Sequence, residues 1–274
     1  MQSSVTIGAM KSIRKTLTVG GSDSGAGAGI QADLKTFAAL GVYGTSAITA
    51  ITAQNTIGVS QVLALSPRLV AAQIDAVIED IGAHALKTGM LANRAIIDVV
   101  ASKVQQHRLK NLVVDPVMVA TSGDLLINKN AVAALRARLM PLAAVVTPNL
   151  SEAEQLTGRK LSNWKEIELA AEQIVAMGAK SVVIKGGHAK GPAVDLFFDG
   201  KKFRALNAPR IHTKNTHGTG CTLSAAIAAY LAKGTSIEEA VRRAKKYITE
   251  AIRAGFVVGA GHSPVHHFYR FWKA

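Results

Sequence analysis

The chain has a single cysteine, Cys221, in 274 residues. That excludes an internal disulfide framework and fits a reducing, cytoplasmic setting. Aromatic residues are scarce, at 5%. None interleaves with the densest basic cluster, Arg242, Arg243, Lys245 and Lys246, as a base-stacking platform would require. Acidic residues are also short: 18 Asp and Glu against 32 Lys and Arg give a formal net charge of +14. The positive charge is otherwise scattered, so no nucleic-acid partner is expected, and such a field also steers phosphorylated small molecules. Long apolar runs are missing. The longest, Leu223 to Ala232, is alanine-rich and too short to span a bilayer, and Met1 to Lys15 lacks the apolar core of a secretory signal. No membrane association is expected. Residues 1–15 read as a flexible extension, with Met10 an alternative start, and residues 16–274 as one domain without a linker or low-complexity break.

What is present is a regular alternation of β-rich runs and helical patterns, with a hydrophobic content of 49% that suits a packed core. Strands are predicted at Leu17–Val19, Ala47–Ala53, Val59–Leu65, Ala85–Lys87, Leu112–Val114, Ala144–Val146 and Ser181–Ile184. Helices are predicted at Gly29–Leu40, from Pro67 to about Asp80 behind a Ser66 cap, at Asn93–Gln106, around Ala131–Leu139, and from about Thr219 and Ser236. Ser151-x-x-Glu154 and Asn163-x-x-Glu166 read as capping boxes opening two more. Asp199-Gly200 between Val194–Phe198 and Lys202–Ala205 is a hairpin signal. This order predicts a three-layer α/β/α sandwich with a central, mostly parallel sheet.

In such sheets ligands bind beyond the carboxyl ends of the strands. Here those ends carry Gly20-Gly21-Ser22-Asp23, Thr88-Gly89-Met90, Asp115-Pro116, Thr147-Pro148-Asn149 and Lys185-Gly186-Gly187-His188. Each alone is an ordinary turn; five together predict an active-site edge. Two nucleotide motifs are absent. Gly25-Ala26-Gly27-Ala28-Gly29 has Ile30 where a dinucleotide fingerprint needs glycine, and no G-x-x-x-x-G-K-[ST] occurs. A phosphate cradle is instead predicted at Asn215-Thr216-His217-Gly218-Thr219-Gly220-Cys221-Thr222, a glycine turn running into a helix whose N-terminus favours an anion. The chain's cysteine sits inside it, as a nucleophile or base beside an oxyanion site would.

Seven segments, in order from about Leu17 to His267, closely resemble the hydroxymethylpyrimidine/phosphomethylpyrimidine kinase family of the ribokinase-like superfamily. They are Gly21–Thr36, Thr52–Thr56, Lys87–Leu91, Val114–Met118, Thr147-Pro148-Asn149-x-x-Glu152, Lys185–His188 and Asn215–Thr222. The resemblance implies a kinase of thiamin biosynthesis. It would use ATP and Mg²⁺ to phosphorylate 4-amino-5-hydroxymethyl-2-methylpyrimidine and then its monophosphate, as a homodimer. A pyridoxal kinase of the same superfamily is the alternative.

The resemblance also assigns roles. Gly218, Thr219, Gly220 and Cys221 become the anion hole, with Cys221 as base toward the substrate hydroxyl where most superfamily members have aspartate. A thiol serves as base only if its pKa falls, which a helix N-terminus and nearby cations favour. Asn149 and Glu152, with Asp115, would organise Mg²⁺, largely through water, and such hard oxygen donors suit that ion. Lys185 would meet ATP phosphates, or is a surface lysine at a strand end. Gln54, Asp33, Gly21 and Met90 would form the pyrimidine pocket, with Gln54 pairing to the aminopyrimidine edge. The lesser alternative is packing in the core for Met90, and a cap or a pair within its helix for Asp33. Asp23 reads as a turn residue, His217 and His188 as structural, and His262, His266 and His267 as no metal site.

Overall fold

The computed structural model describes residues 12–118, 129–187 and 193–272. Residues 1–11 of the expected N-terminal extension, and His188, lie outside the described residues. The chain begins with β1 (Lys15–Asp23), α1 (Gly29–Ala39), β2 (Tyr43–Gln54), β3 (Val59–Ala64) and α2 (Pro67–Asp80). It continues with β4 (Ala85–Thr88), α3 (Arg94–Gln106), β5 (Leu112–Val114), α4 (Lys129–Ala134), β6 (Ala143–Val146), α5 (Leu150–Thr157) and α6 (Trp164–Ala176). Last come β7 (Val182–Ile184), β8 (Asp195–Phe198), β9 (Phe203–Leu206), α7 (Thr219–Ala232) and α8 (Ile237–Arg253).

The nine strands form one sheet in the order β3-β2-β1-β4-β5-β6-β7-β8-β9. The run β2-β1-β4-β5-β6-β7 pairs in parallel, and β3, β8 and β9 add antiparallel edges. Side chains alternate between the two faces of a strand. Leu112, Val114, Val182 and Ile184 therefore enter one core with α2, α3, α5 and α6. Val113 and Val183 enter the other with α1, α7 and α8. Helices cover both faces, so the central strands need no polar positions, and β5, β6 and β7 read as unbroken apolar runs.

α7 shows the same logic in a helix. Every residue from Thr222 to Ala232 is buried, because α7 lies over β1, β4 and β5 and packs on α1 and α8. Such a helix is apolar all round, and small alanines let both neighbours come close. No helix among the described residues is long and apolar enough to cross a membrane.

Three local expectations change. β1 runs on through Gly20 and Gly21, which the sequence places in a turn; the strand bulges between Gly20 and Ser22 and keeps its pairing with β2. The predicted helix around Ala131–Leu139 is α4 followed by a π-helical turn over Leu135–Leu139 and a 3₁₀ turn over Met140–Leu142. Pro141 has no N–H with which to extend it. The capping box predicted at Ser151 and Glu154 lies two residues earlier, at Asn149 and Glu152. Glu154 instead accepts a hydrogen bond from the Leu161 amide, at 2.8 Å. At α6, Asn163 Oδ1 accepts the Glu166 amide, one half of the expected capping box, and Asp199 Oδ1 accepts the Lys201 and Lys202 amides in the β8–β9 turn.

Candidate active site

Parallel strands deliver all their carboxyl ends to one edge. β1 and β4 are neighbours, but the chain leaves β1 for α1 on one face and β4 for α3 on the other. A crevice opens where they diverge. It is a cleft of about 800 Å³, and all twelve residues assigned by sequence line it: Gly21, Asp33, Gln54, Met90, Asp115, Asn149, Glu152, Lys185, Gly218, Thr219, Gly220 and Cys221.

The glycine turn enters α7 through Gly218, with φ of 75°. A side chain there would be strained, and its Cβ would land on the Gly27 carbonyl oxygen. The Thr219 amide already donates to Thr216 O at 3.2 Å. Among the described residues, the amides of Gly220 and Cys221 have no protein acceptor, so the anion-binding capacity is concentrated in these two first-turn N–H groups.

Opposite them lies a cluster of buried charge. Lys185 Nζ donates to Asp115 Oδ1 at 3.0 Å and stands 3.9 Å from Glu152 Oε2. Thr147 and Ser224 hydroxyls also bond Asp115. Burial works against the Asp115 charge, but Lys185 and Lys87 outweigh it and lower its pKa. Burial pushes the Glu152 carboxyl up to about 7, with Lys185 only partly offsetting it. Asn149 and Glu152 meet as a capping box: Glu152 Oε2 accepts the Asn149 amide at 2.7 Å, and Asn149 Oδ1 accepts the Glu152 amide at 2.9 Å. The residues that resemblance assigns to Mg²⁺ therefore also build the start of α5. The donor atoms on offer are the oxygens of Asp115, Glu152 and Asn149, the kind a hard cation takes.

Asp33 lines the cleft and is tied into its wall. It has no exposed surface and does not pair within its own helix. Its Oδ2 accepts from Lys87 Nζ on β4 at 2.9 Å and from Thr18 Oγ1 at 2.6 Å. Lys87, to which sequence reasoning gave no role, is equally buried. Cys221 also differs from expectation. The Gly29 amide and the Lys87 charge favour its thiolate, but burial dominates and pushes the thiol up to about 11 rather than down.

Gly21 and Met90 are packed together, with Met90 Sδ 3.3 Å from where a Gly21 Cβ would stand. Gln54 is loosely held: its amide contacts are 3.2 Å to Thr52 Oγ1 and 3.4 Å to His217 Nε2. Sequence reasoning missed an apolar end of the cleft formed by Ala208, Pro209, Ile211, Leu223, Ile248 and Ile252. The i, i+4 pair Ile248 and Ile252 on α8 was its one visible signal. The basic cluster on α8 is largely engaged within the chain. Arg242 and Arg243 pair with Glu239, and Lys245 pairs with Asp195.

Asp23 does more than turn the chain. Its carboxylate accepts the amides of Gly25, Gly27 and Ala28 and, at 2.9 Å, the Nε2–H of His217. His217 immediately precedes Gly218, so this clasp joins the β1–α1 loop to the glycine turn that opens α7. The C-terminal segment backs it, with Ser263 O accepting from the His217 amide at 3.1 Å. His267 is buried and held neutral, its pKa pushed down to about 3 by burial and by Lys35.

Comparison with known proteins adds the following. Residues 23–266 match the profile of a family described as phosphomethylpyrimidine kinase. A hydroxymethylpyrimidine/phosphomethylpyrimidine kinase of Rhizobium meliloti (strain 1021) is 57% identical over 262 residues, 94% of this chain and 98% of that protein. The structure of an ADP complex of Bacillus subtilis pyridoxal kinase superposes with a TM-score of 0.89 at 42% identity, covering 95% of this chain and all of that one. The phosphomethylpyrimidine kinase structure from Clostridium difficile 630 gives 0.79 at 47% identity, covering 88% of this chain and all of that one.

The clasp has a measurable consequence. Asp23→Ala strips three amides and His217 of their acceptor, so urea unfolding should show a loss of about 2–4 kcal/mol at pH 7. Burial raises the Asp23 pKa, but the His217 hydrogen bond and the loop amides more than offset it and leave it below the ordinary 3.8. A lowered carboxyl pKa contributes stability above the unfolded value and loses it as pH falls through the folded one. The deficit of the variant should therefore shrink below pH 3.8. A deficit that is constant with pH would mean that the Asp23 charge is not what holds the loops.

Proposed function

The chain belongs to the phosphomethylpyrimidine kinase family, and we propose that the residues gathered in its cleft carry out that family's two phosphoryl transfers with ATP as donor. It is a hydroxymethylpyrimidine/phosphomethylpyrimidine kinase of thiamin biosynthesis with a ribokinase-like fold. Pyridoxal kinases share the fold, but the sequence relatives favour the pyrimidine.

The observation that carries the reading is that the Cys221 turn, the pyrimidine-side residues Gln54, Gly21 and Met90, and the Asp115–Glu152–Lys185 cluster line one cleft. In this reading Gln54 reads the aminopyrimidine edge and Met90 packs on the ring. Asp33 acts from beneath the pocket, through Lys87. The nucleotide base occupies the apolar end beside α8, and its phosphates run toward Lys185 and the α7 N-terminus. The hydroxymethyl oxygen attacks the γ-phosphorus, its proton passes to the Cys221 sulfur, and the bond to the ADP oxygen breaks. The Gly220 and Cys221 amides take the charge of the moving phosphoryl group. Asp115 and Glu152, with Asn149, would hold Mg²⁺ largely through water. Bound there, the ion would neutralise phosphate charge. A base with a pKa near 11 is strong but scarce, with roughly 10⁻⁴ as thiolate at pH 7. The charges around the sulfur therefore govern its availability. An active-site thiol of this kind suits a reducing, cytoplasmic enzyme.

A homodimer is part of the same proposal. The outer strands expose Ile51, Val62 and Leu63, and the β2–β3 turn exposes Ile57. This apolar edge hairpin is the kind of surface that a second copy covers.

Three measurements bear on this reading. Cys221→Ala should lower kcat by roughly 10²–10⁴-fold with little change in KM, followed as mono- and diphosphate formed from ATP and the hydroxymethylpyrimidine. Near-normal kcat would remove Cys221 from the chemistry. Glu152→Gln, matched in size, should raise the Mg²⁺ concentration needed for half-maximal rate; an unchanged titration would leave Glu152 as a helix cap only. Sedimentation equilibrium should give twice the chain mass, with Leu63→Asp shifting it toward one, and a wild-type chain that stays monomeric would refute the dimer.

A further inference from the structure

Lys87 and Asp33 form a buried ion pair in the wall of the cleft, and neither has exposed surface. Burying charge is tolerated only with a partner, yet this pair is unevenly matched. Among the described residues, the Lys87 ammonium has one hydrogen-bond acceptor, Asp33 Oδ2, for its three protons. Asp33 Oδ1 is buried with no partner. The fold makes room for the ammonium: a Cβ on Gly89 would stand 2.9 Å from Lys87 Nζ. Cys221 approaches from above, in the first turn of α7, which packs directly over β4, the strand that carries Lys87.

We propose that Lys87 is a positioning residue for Cys221: its buried ammonium supplies the positive charge beside the sulfur, and Asp33 sets how much of that charge the sulfur feels. The inference rests on the reading of Cys221 as base. The step it serves is the transfer of the hydroxymethyl proton to sulfur as the oxygen bonds to phosphorus, so O–H breaks and S–H forms. Before that step the sulfur must be anionic, and a fixed cation in a low-dielectric wall lowers the cost. The charges facing the sulfur support the assignment. Burial raises the thiol pKa, Lys87 is the largest charge that opposes it with Lys185 acting in the same direction, and Asp115 and Asp33 add to the rise. Lys87 itself stays charged, because Asp33, Cys221 and Asp115 outweigh its desolvation.

The test reads the thiol apart from catalysis. The rate of Cys221 alkylation by iodoacetamide is followed from pH 7 to 11 in the unliganded protein, with kcat measured alongside and circular dichroism confirming the fold. Lys87→Met should slow alkylation at pH 9 by about tenfold or more, and Asp33→Asn should speed it several-fold at the low-pH end of the range, where the ammonium keeps its proton, and lose that gain toward pH 11 as Lys87 without its counter-charge is neutralised. The double variant leaves no unpaired buried charge, so it remains informative if Lys87→Met fails to fold, and it should be slow. A packing role would move the two single variants the same way. Unshifted profiles, or shifts of one sign, would overturn the proposal. Opposite shifts with unchanged kcat would leave the electrostatic assignment standing and remove Cys221 from the role of base.

Discussion

A charge cannot be buried alone, and four buried or nearly buried charges meet at the floor of this cleft. Asp33 pairs with Lys87, and Asp115 with Lys185. Each partner comes from a different element: Asp33 from α1, Lys87 from β4, Asp115 from the end of β5 and Lys185 from the end of β7. The desolvation penalty is met only when the sheet brings these elements into the observed order. The charges therefore depend on the fold, and the chemistry of the cleft depends on the charges. Removing either lysine would leave a carboxylate in the interior without its counter-ion.

The same floor explains why a thiol stands at the helix N-terminus. A carboxylate at position 221 would be a third anion beside Asp33 and Asp115. A thiol is neutral at rest, and burial together with those two anions keeps it so. Lys87 pulls the other way. On the proposed reading the site holds its base in reserve, in a balance that a bound, negatively charged nucleotide and its cation would shift. The loops above the floor are fixed separately, by the Asp23–His217 clasp and by glycines that allow backbone to touch backbone at Gly27 and Gly218.

The differences from the sequence-based expectations share one cause. Asn149-x-x-Glu152 and Ser151-x-x-Glu154 both fit a capping pattern, and local spacing cannot choose between them. The choice was made by Asn149, whose backbone pairs with Lys185 at the strand ends and so lies outside the helix. Gly20 and Gly21 looked like a turn because glycine is permissive, but pairing with β2 carries them as strand. Cys221 was expected to ionise easily because its helix terminus and cations are visible in sequence. The desolvation of its sulfur at the cleft floor is not.

Much was determined by sequence alone. Apolar periodicity fixed the alternation of strands and helices, since a period of two or of 3.6 is written in the order of residues. The polar residues after each strand marked the edge of the sheet where a ligand would bind. The glycine turn before Cys221 announced a helix start with free first-turn amides, because every helix N-terminus leaves such groups unpaired. Only the tertiary structure decided which charges face one another. Lys87 reads as one more strand residue until β4 is laid beside β1 and beneath α7. Asp23 reads as a turn residue until His217, 194 positions later, meets it. Pairing, burial and the pKa values that follow depend on distance through space, and a linear pattern carries that information only after the chain has folded.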